Sequence, residues 1–344
     1  MGIAAVDIRD MGDGEDRRGV GSHGGEDTPA EEDGPPPRRR YSRQEVIATG
    51  LAGAAGLVGV AGLLREILRD DDVSTGQGES GGRSGGGAAP GGEAPAAVTG
   101  PATSISGRFE SAVQAREVGY VVVLPPDYRA EEPLPVAFLL HGRHEDSRWF
   151  VEQLRVQEAL AAGVAAGDLG RFALAAVDGG DLWWHERPVG NDPLAMFLDE
   201  FVPRCEADFR LGGPPARRAV AGWSMGALGA LLAAQRRPGE FAAVAVSSPA
   251  VFATFARAQQ AARGAFDDAR DFAENDAVAG APTMPEPVRV DCGTEDPLAA
   301  DARALADALP ERTRSAEFTP GGHDIAYWRR ALPAQLRFLS AALA

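Results

Sequence analysis

Arg218-Ala219-Val220-Ala221-Gly222-Trp223-Ser224-Met225-Gly226-Ala227, leading into the helix-forming stretch 227–236, decides the fold. A short apolar run reads as a buried strand, and it passes at once through a Gly-x-Ser-x-Gly turn into a helical segment. On such a turn the serine sits at a sharp bend whose crowding admits only small neighbours, here Gly222 and Gly226. Its hydroxyl then projects above the sheet edge, and the Met225 amide points from the helix N-terminus toward any oxyanion formed there. The letters alone carry little weight. Gly78-Glu79-Ser80-Gly81-Gly82 and Gly82-Arg83-Ser84-Gly85-Gly86 match as well, but lie in a Gly- and Ser-rich stretch where no strand precedes and no helix follows.

Outward from Ser224 the chain alternates strand and helix patterns. Two β-favouring runs between Gly107 and Val123, ending at Pro125-Pro126, predict a hairpin. Leu134–Leu140 and Phe172–Val177 are continuous apolar runs of the kind that both faces of a sheet cover. Helical spacing marks 151–166 and 193–207. Downstream come strand patterns at Phe241–Val246, Val288–Val290 and Ser315–Phe318, with helices over Leu298–Leu309 and 324–343. This alternation predicts an α/β fold: a mostly parallel central sheet with helices on both faces, and ligands at the carboxyl ends of the strands.

A serine hydroxyl is a weak nucleophile near neutral pH until a base takes its proton, so a histidine and an orienting carboxylate are required. Of the five histidines, His23 lies in an acidic leader, and His141, His144 and His185 precede the serine. His323, in Pro320-Gly321-Gly322-His323-Asp324, follows the last predicted strand, where glycines let the loop fold over the sheet edge. The acid is expected after the penultimate strand, in Asp291-Cys292-Gly293-Thr294-Glu295-Asp296-Pro297. Asp296, just before a helix-starting proline, fits best; Glu295 and then Asp291 are the alternatives, and a simple helix N-cap is the other reading of Asp296. The second oxyanion amide is expected from the loop after Leu140, from Arg143 or Gly142. His141-x-x-His144 shows no third partner in the sequence, so neither metal nor cofactor is expected.

Composition narrows the rest. The 344 residues hold 34 basic and 50 acidic side chains, and every basic one is arginine, so chemistry that depends on lysine is excluded. A net charge of −16 repels phosphate backbones, which argues against nucleic-acid partners. Residues 1–37 are acidic and glycine-rich and read as a disordered leader. Residues 38–70 resemble a twin-arginine export signal, with Arg38-Arg39 as the pair, Tyr41 in the aromatic position and the uncharged stretch 46–64 as an apolar segment or membrane tether. Residues 71–104 read as a flexible linker, and 105–344 as one catalytic domain. An extracytoplasmic location is the expectation, secreted or membrane-anchored.

Leu139-Leu140-His141-Gly142-Arg143, Gly222-Trp223-Ser224-Met225-Gly226-Ala227, Ser247-Ser248-Pro249-Ala250, Cys292-Gly293-Thr294-Glu295-Asp296 and Gly322-His323-Asp324 with Tyr327-Trp328 together resemble the esterase D / antigen 85 mycolyltransferase branch of the α/β-hydrolases. The similarity spans about 105–344. It implies a Ser224–Asp296–His323 triad, an oxyanion hole from the Met225 and Arg143 amides, and acyl-ester chemistry through an acyl-serine. In the mycolyltransferases the acid is a glutamate, so hydrolysis is the primary expectation. Acyl transfer to an alcohol or sugar acceptor of the envelope, and a non-catalytic binding protein of the same fold, are the alternatives. Trp183-Trp184-His185 suggests an acyl or sugar subsite, or core packing. Segment 251–286 lies where such folds insert a cap, and Cys205 and Cys292 are a possible disulfide pair.

Overall fold

In a computed structural model, residues 101–129, 132–188 and 190–344 are described. The leader 1–37, the segment 38–70 that resembles an export signal, with its uncharged stretch 46–64, and most of the linker lie outside them. Among the described residues, no helix is long and apolar enough to cross a membrane.

Eight strands form one sheet, numbered in chain order β1 (Thr103–Ser111), β2 (Arg116–Leu124), β3 (Val136–Leu140), β4 (Ala173–Val177), β5 (Arg218–Trp223), β6 (Val244–Ser247), β7 (Val288–Gly293) and β8 (Arg314–Thr319) and lying side by side in the order β1-β2-β4-β3-β5-β6-β7-β8. β1 (Thr103–Ser111) and β2 (Arg116–Leu124) make the expected hairpin, with Thr103 opposite Leu124 and Ser111 opposite Arg116. β2 also runs antiparallel to β4 (Ala173–Val177); all later pairings are parallel. The chain builds β3 (Val136–Leu140) and β4 on one side, then crosses to place β5 (Arg218–Trp223) on the other flank of β3. That reversal opens a crevice at the carboxyl ends of β3 and β5, where ligands bind in such sheets.

β3 shows why the core has two layers. Val136, Phe138 and Leu140 join the core on one face, with the helix Met225–Arg236 and the helical segment 193–209. Ala137 and Leu139 join the other, under the helices Trp149–Glu152, Val156–Ala165 and Ile325–Ala342. All five residues are buried, so a one-residue slip would exchange the two sets and mismatch both layers.

Three elements depart from their sequence reading. The helical spacing over 151–166 resolves into two helices, Trp149–Glu152 and Val156–Ala165, because Arg155 between them takes a left-handed conformation, φ 61°, that cannot continue a right-handed helix. The expected helix 193–207 is interrupted by a π-helical turn at Met196–Phe201, ahead of Val202–Phe209. Pro203 explains the departure, since it has no N–H to offer the carbonyl four residues back. β7 runs over Val288–Gly293, longer than expected, which puts Asp291 inside the sheet, opposite Ser247 and Glu317. Segment 251–286 folds into short helices, Phe255–Ala261, Ala269–Glu274 and Ala277–Gly280, with Phe252, Phe266 and Phe272 buried in the main core. Cys205 and Cys292 are both buried and free, so the possible disulfide is not formed.

Candidate active site

Ser224 stands between β5 and the helix Met225–Arg236 with φ 54° and ψ −116°, a backbone region that L-residues avoid. Such a conformation costs about 1–3 kcal/mol and persists only where its surroundings fix it. Here the Ser224 amide donates to the Ser247 carbonyl at 3.0 Å, and the Ser224 carbonyl accepts from the amides of Ala227 and Ala250, both at 3.1 Å. Three hydrogen bonds at roughly 1 kcal/mol each are enough to hold it. The flanking glycines are obligatory for a steric reason. A Cβ on Gly222 would overlap the Gly226 carbonyl, and one on Gly226 would overlap the Leu140 carbonyl at the end of β3.

The loops after β7 and β8 (Arg314–Thr319) bring the other two candidates to this bend. His323 Nε2 lies 2.9 Å from Ser224 Oγ, and His323 Nδ1 lies 2.9 Å from Asp296 Oδ2. The carboxylate can only accept from Nδ1–H, which leaves the Nε2 lone pair to accept the Ser224 hydroxyl proton. His323 is a quarter exposed, whereas the Asp296 side chain is fully buried. Burial by itself would raise the Asp296 pKa. Hydrogen bonds from His323 and from the Leu298 amide, at 2.8 Å, and the Ser248 hydroxyl outweigh it and hold the carboxyl below its usual value. The ring of Trp328 meets His323 edge-on at 5.2 Å, and its indole N–H donates to Ser248 Oγ at 2.9 Å.

The loops themselves interlock. The amides of Thr294 and Glu295 donate to the carbonyls of Thr319 and Gly321, at 2.9 and 3.0 Å. Gly293 packs so closely on Gly321 that a Cβ there would overlap the Gly321 carbonyl. The alternative acids are thereby placed. Glu295 contributes its backbone while its side chain is exposed. Asp291 is bound bidentately by Arg289, at 2.7 and 2.8 Å, inside the sheet and away from His323.

At the end of β3 the two candidate amides separate. Gly142 N–H donates to Glu145 Oε2 at 2.8 Å, while Arg143 N–H has no acceptor among the described residues. The Met225 amide is the first of its helix and has no intrahelical partner. His141 is neutral and structural. Gly179 N–H donates to its Nε2 at 2.9 Å, so Nδ1 carries the proton, facing the Gly142 carbonyl at 2.7 Å; burial pushes its pKa down. His144 pairs instead with Asp181, at 3.0 Å, so the two histidines serve the loop rather than a common ion.

Glu145 was not among the residues singled out from the sequence, yet it binds the Gly142 amide at the edge of the site. A Cβ on Gly142 would lie 2.8 Å from Glu145 Oε2 and 3.5 Å from Ser224 Cβ. Burial pushes the Glu145 carboxyl up to about 7, with the Gly142 hydrogen bond and His323 pulling the other way. A carboxylate three residues after a glycine is too common a pattern for the sequence to have flagged it.

Trp184 is core: its indole donates to the His141 carbonyl at 3.1 Å, and its ring fills the space over Gly179 and Gly229. Trp183 packs near Phe252, with centroids 6.4 Å apart. Both tryptophans have positive φ, 62° and 56°. The fully buried His185 stacks on Phe266 at 5.4 Å, and Arg187 donates to the Ala265 carbonyl at 2.7 Å, fastening this loop to segment 251–286.

A sheet of this order, with a serine elbow after β5 and a histidine after β8, defines an α/β-hydrolase. The sequence matches the Esterase family, described as "Putative esterase", over residues 111–339, and the chain belongs to that family. It is 31% identical over 147 residues to Esterase Rv1288 of Mycobacterium tuberculosis (strain H37Rv), a match covering 41% of this chain and 31% of that protein. The chain thus spans about a third of the length of the curated relative it matches. Among solved structures, a ferulic acid esterase superposes with a TM-score of 0.61 and 26% identity, over 70% of this chain and 99% of the other. An S-formylglutathione hydrolase from Agrobacterium tumefaciens shares the fold, with a TM-score of 0.58 at 16% identity, over 71% of this chain and 96% of the other.

Proposed function

We propose that the protein is an exported serine esterase that hydrolyses carboxylic esters through an acyl-serine intermediate. The observation that carries this reading is the 2.9 Å approach of Ser224 Oγ to a His323 ring whose other nitrogen is held by a buried carboxylate. In the proposed mechanism His323 Nε2 takes the hydroxyl proton as Ser224 Oγ attacks the ester carbonyl. The amides of Met225 and Arg143 receive the resulting oxyanion. The tetrahedral adduct collapses, the alcohol leaves with the proton returned by His323, and the acyl group stays on Ser224. Water, deprotonated by the same ring, attacks the acyl-serine and releases the acid.

Ser224 and His323 are both partly open to solvent, so water has access to the acyl-serine as acceptor. Membership of the esterase family and the ferulic acid esterase likeness support ester hydrolysis and make aryl esters worth including in a substrate screen. Export rests on Arg38-Arg39 and the uncharged stretch 46–64.

A fluorophosphonate probe tests the centre. The wild type is expected to label and to hydrolyse p-nitrophenyl esters of graded chain length, and Ser224→Ala to do neither. Wild-type protein that ignores both the probe and the esters would remove the proposal.

A further inference from the structure

Three successive backbone amides follow the end of β3, and they are treated unequally. Gly142 N–H donates to Glu145 Oε2 at 2.8 Å, and His144 N–H donates to Asp181 Oδ1 at 2.6 Å. Between them, Arg143 N–H has no acceptor among the described residues. Asp181 takes residue 144 twice, since its other oxygen lies 3.0 Å from His144 Nδ1. His144 needs such a grip because it is held at φ 64°, a left-handed conformation that a residue with a Cβ enters at a cost. Beneath the loop, His141 is anchored from both sides, its ring by the Gly179 amide and its carbonyl by the Trp184 indole.

We propose that Glu145, together with Asp181, is a positioning residue: the two carboxylates clamp the amides on either side of Arg143, so that the Arg143 N–H alone is left facing Ser224 to receive the oxyanion. This inference rests on the acyl-serine reading given above and adds residues to its machinery. Glu145 does not touch the reacting atoms in this account; it acts through the backbone. Its location argues for that role over a direct one. A Cβ on Gly142 would lie between Glu145 Oε2, at 2.8 Å, and Ser224 Cβ, at 3.5 Å, so any negative charge the Glu145 carboxyl carries opposes a developing oxyanion, and its contribution comes from fixing the loop rather than from its own field. The requirement is for an acceptor oxygen at this point, and a glutamine side chain supplies one as well. Gly142 belongs to the same device, because any side chain there would displace the Glu145 carboxylate that holds it.

Oxyanion donors act in the transition state and little in substrate binding, so a loosened clamp should lower kcat and leave KM in place. The test uses the full chain with p-nitrophenyl acetate as probe, and thermal melts of each variant as a folding control. Glu145→Ala is expected to lower kcat by about tenfold or more with KM changed less than about threefold. Glu145→Gln is expected within about threefold of wild type, and Asp181→Ala to fall in the same sense as Glu145→Ala. Should Glu145→Ala fail to fold, Asp181→Ala read against Asp181→Asn carries the same comparison. The proposal is overturned if Glu145→Ala keeps its kcat, if the Gln and Ala variants fall equally, or if the loss lies in KM. Failure of the parent reading looks different: there the wild type is inert and Ser224→Ala changes nothing. Failure of the clamp alone leaves an active wild type, a dead Ser224→Ala and an unaffected Glu145→Ala.

Discussion

Asp296 and Glu295 are adjacent carboxylates in opposite surroundings. Asp296 is buried and takes hydrogen bonds from His323 and the Leu298 amide, while the Glu295 side chain points into solvent. If Asp296 fixes the His323 tautomer, Asp296→Asn should lower kcat by about 10³–10⁴-fold with little change in melting temperature, and Glu295→Gln should leave kcat unchanged. The reverse pattern would transfer the role to Glu295. Glu145 carries a separate prediction, on stability. Its carboxyl is raised in the folded protein from 4.5 to about 7, so folding favours the protonated form. The resulting stabilisation is complete below the unfolded pKa and is lost as pH rises through about 7. Melting temperatures measured from pH 4 to 8 should therefore show wild type losing ground to Glu145→Gln across that interval, and parallel curves would contradict it.

Between elements, backbone-to-backbone approaches set the geometry. β5 meets its helix through Gly222 and Gly226, β3 meets the same helix at the Leu140 carbonyl, and β7 meets the histidine loop where Gly293 lies on Gly321. Nothing flexible can give way at these points, since the opposing atoms are carbonyls. Gly293→Ala is accordingly expected to push the 320–323 loop off the sheet edge and lower kcat by about tenfold or more, reporting the displacement of His323 from Ser224. Kinetics beside a thermal melt check it; a wild-type kcat would show that the loop absorbs the change. The π turn at Met196–Phe201 shows a limit of periodicity. Met196, Phe197, Leu198 and Phe201 are all buried, so the apolar spacing reads as one helix, and only the missing N–H of Pro203 signals that the winding changes.

For the whole molecule, among the described residues, the sheet from Thr103 to Thr319 and the closing helix Ile325–Ala342 bury their apolar faces against one another. A chain starting at residue 101 should keep the melting temperature and esterase kcat of the full protein to within about twofold, as an independent domain does. Loss of folding in that truncation would mean the leader is part of the domain. Export belongs at this scale too. Replacing Arg38-Arg39 with Lys-Lys is expected to retain the protein in the cytoplasm, scored by fractionation, and unchanged secretion would argue against the twin-arginine proposal.

The α/β class was legible because it depends on local patterns: buried runs such as Leu134–Leu140, and the elbow around Ser224, where Gly222 is forced by the Gly226 carbonyl within the same turn. Chain order then singled out His323 among five histidines. Other features depend on atoms far apart in the chain. Which of Asp291, Glu295 and Asp296 faces His323 follows from where β7 ends, and that is fixed by pairing with β6 (Val244–Ser247) and β8. Which amide after β3 stays open follows from Glu145, within the loop itself, and from Asp181, whose grip on residue 144 exists only once β3 and β4 lie side by side. Periodicity and turn chemistry are written in neighbouring residues. Hydrogen-bond partners across the sheet edge are chosen only when the strands have packed.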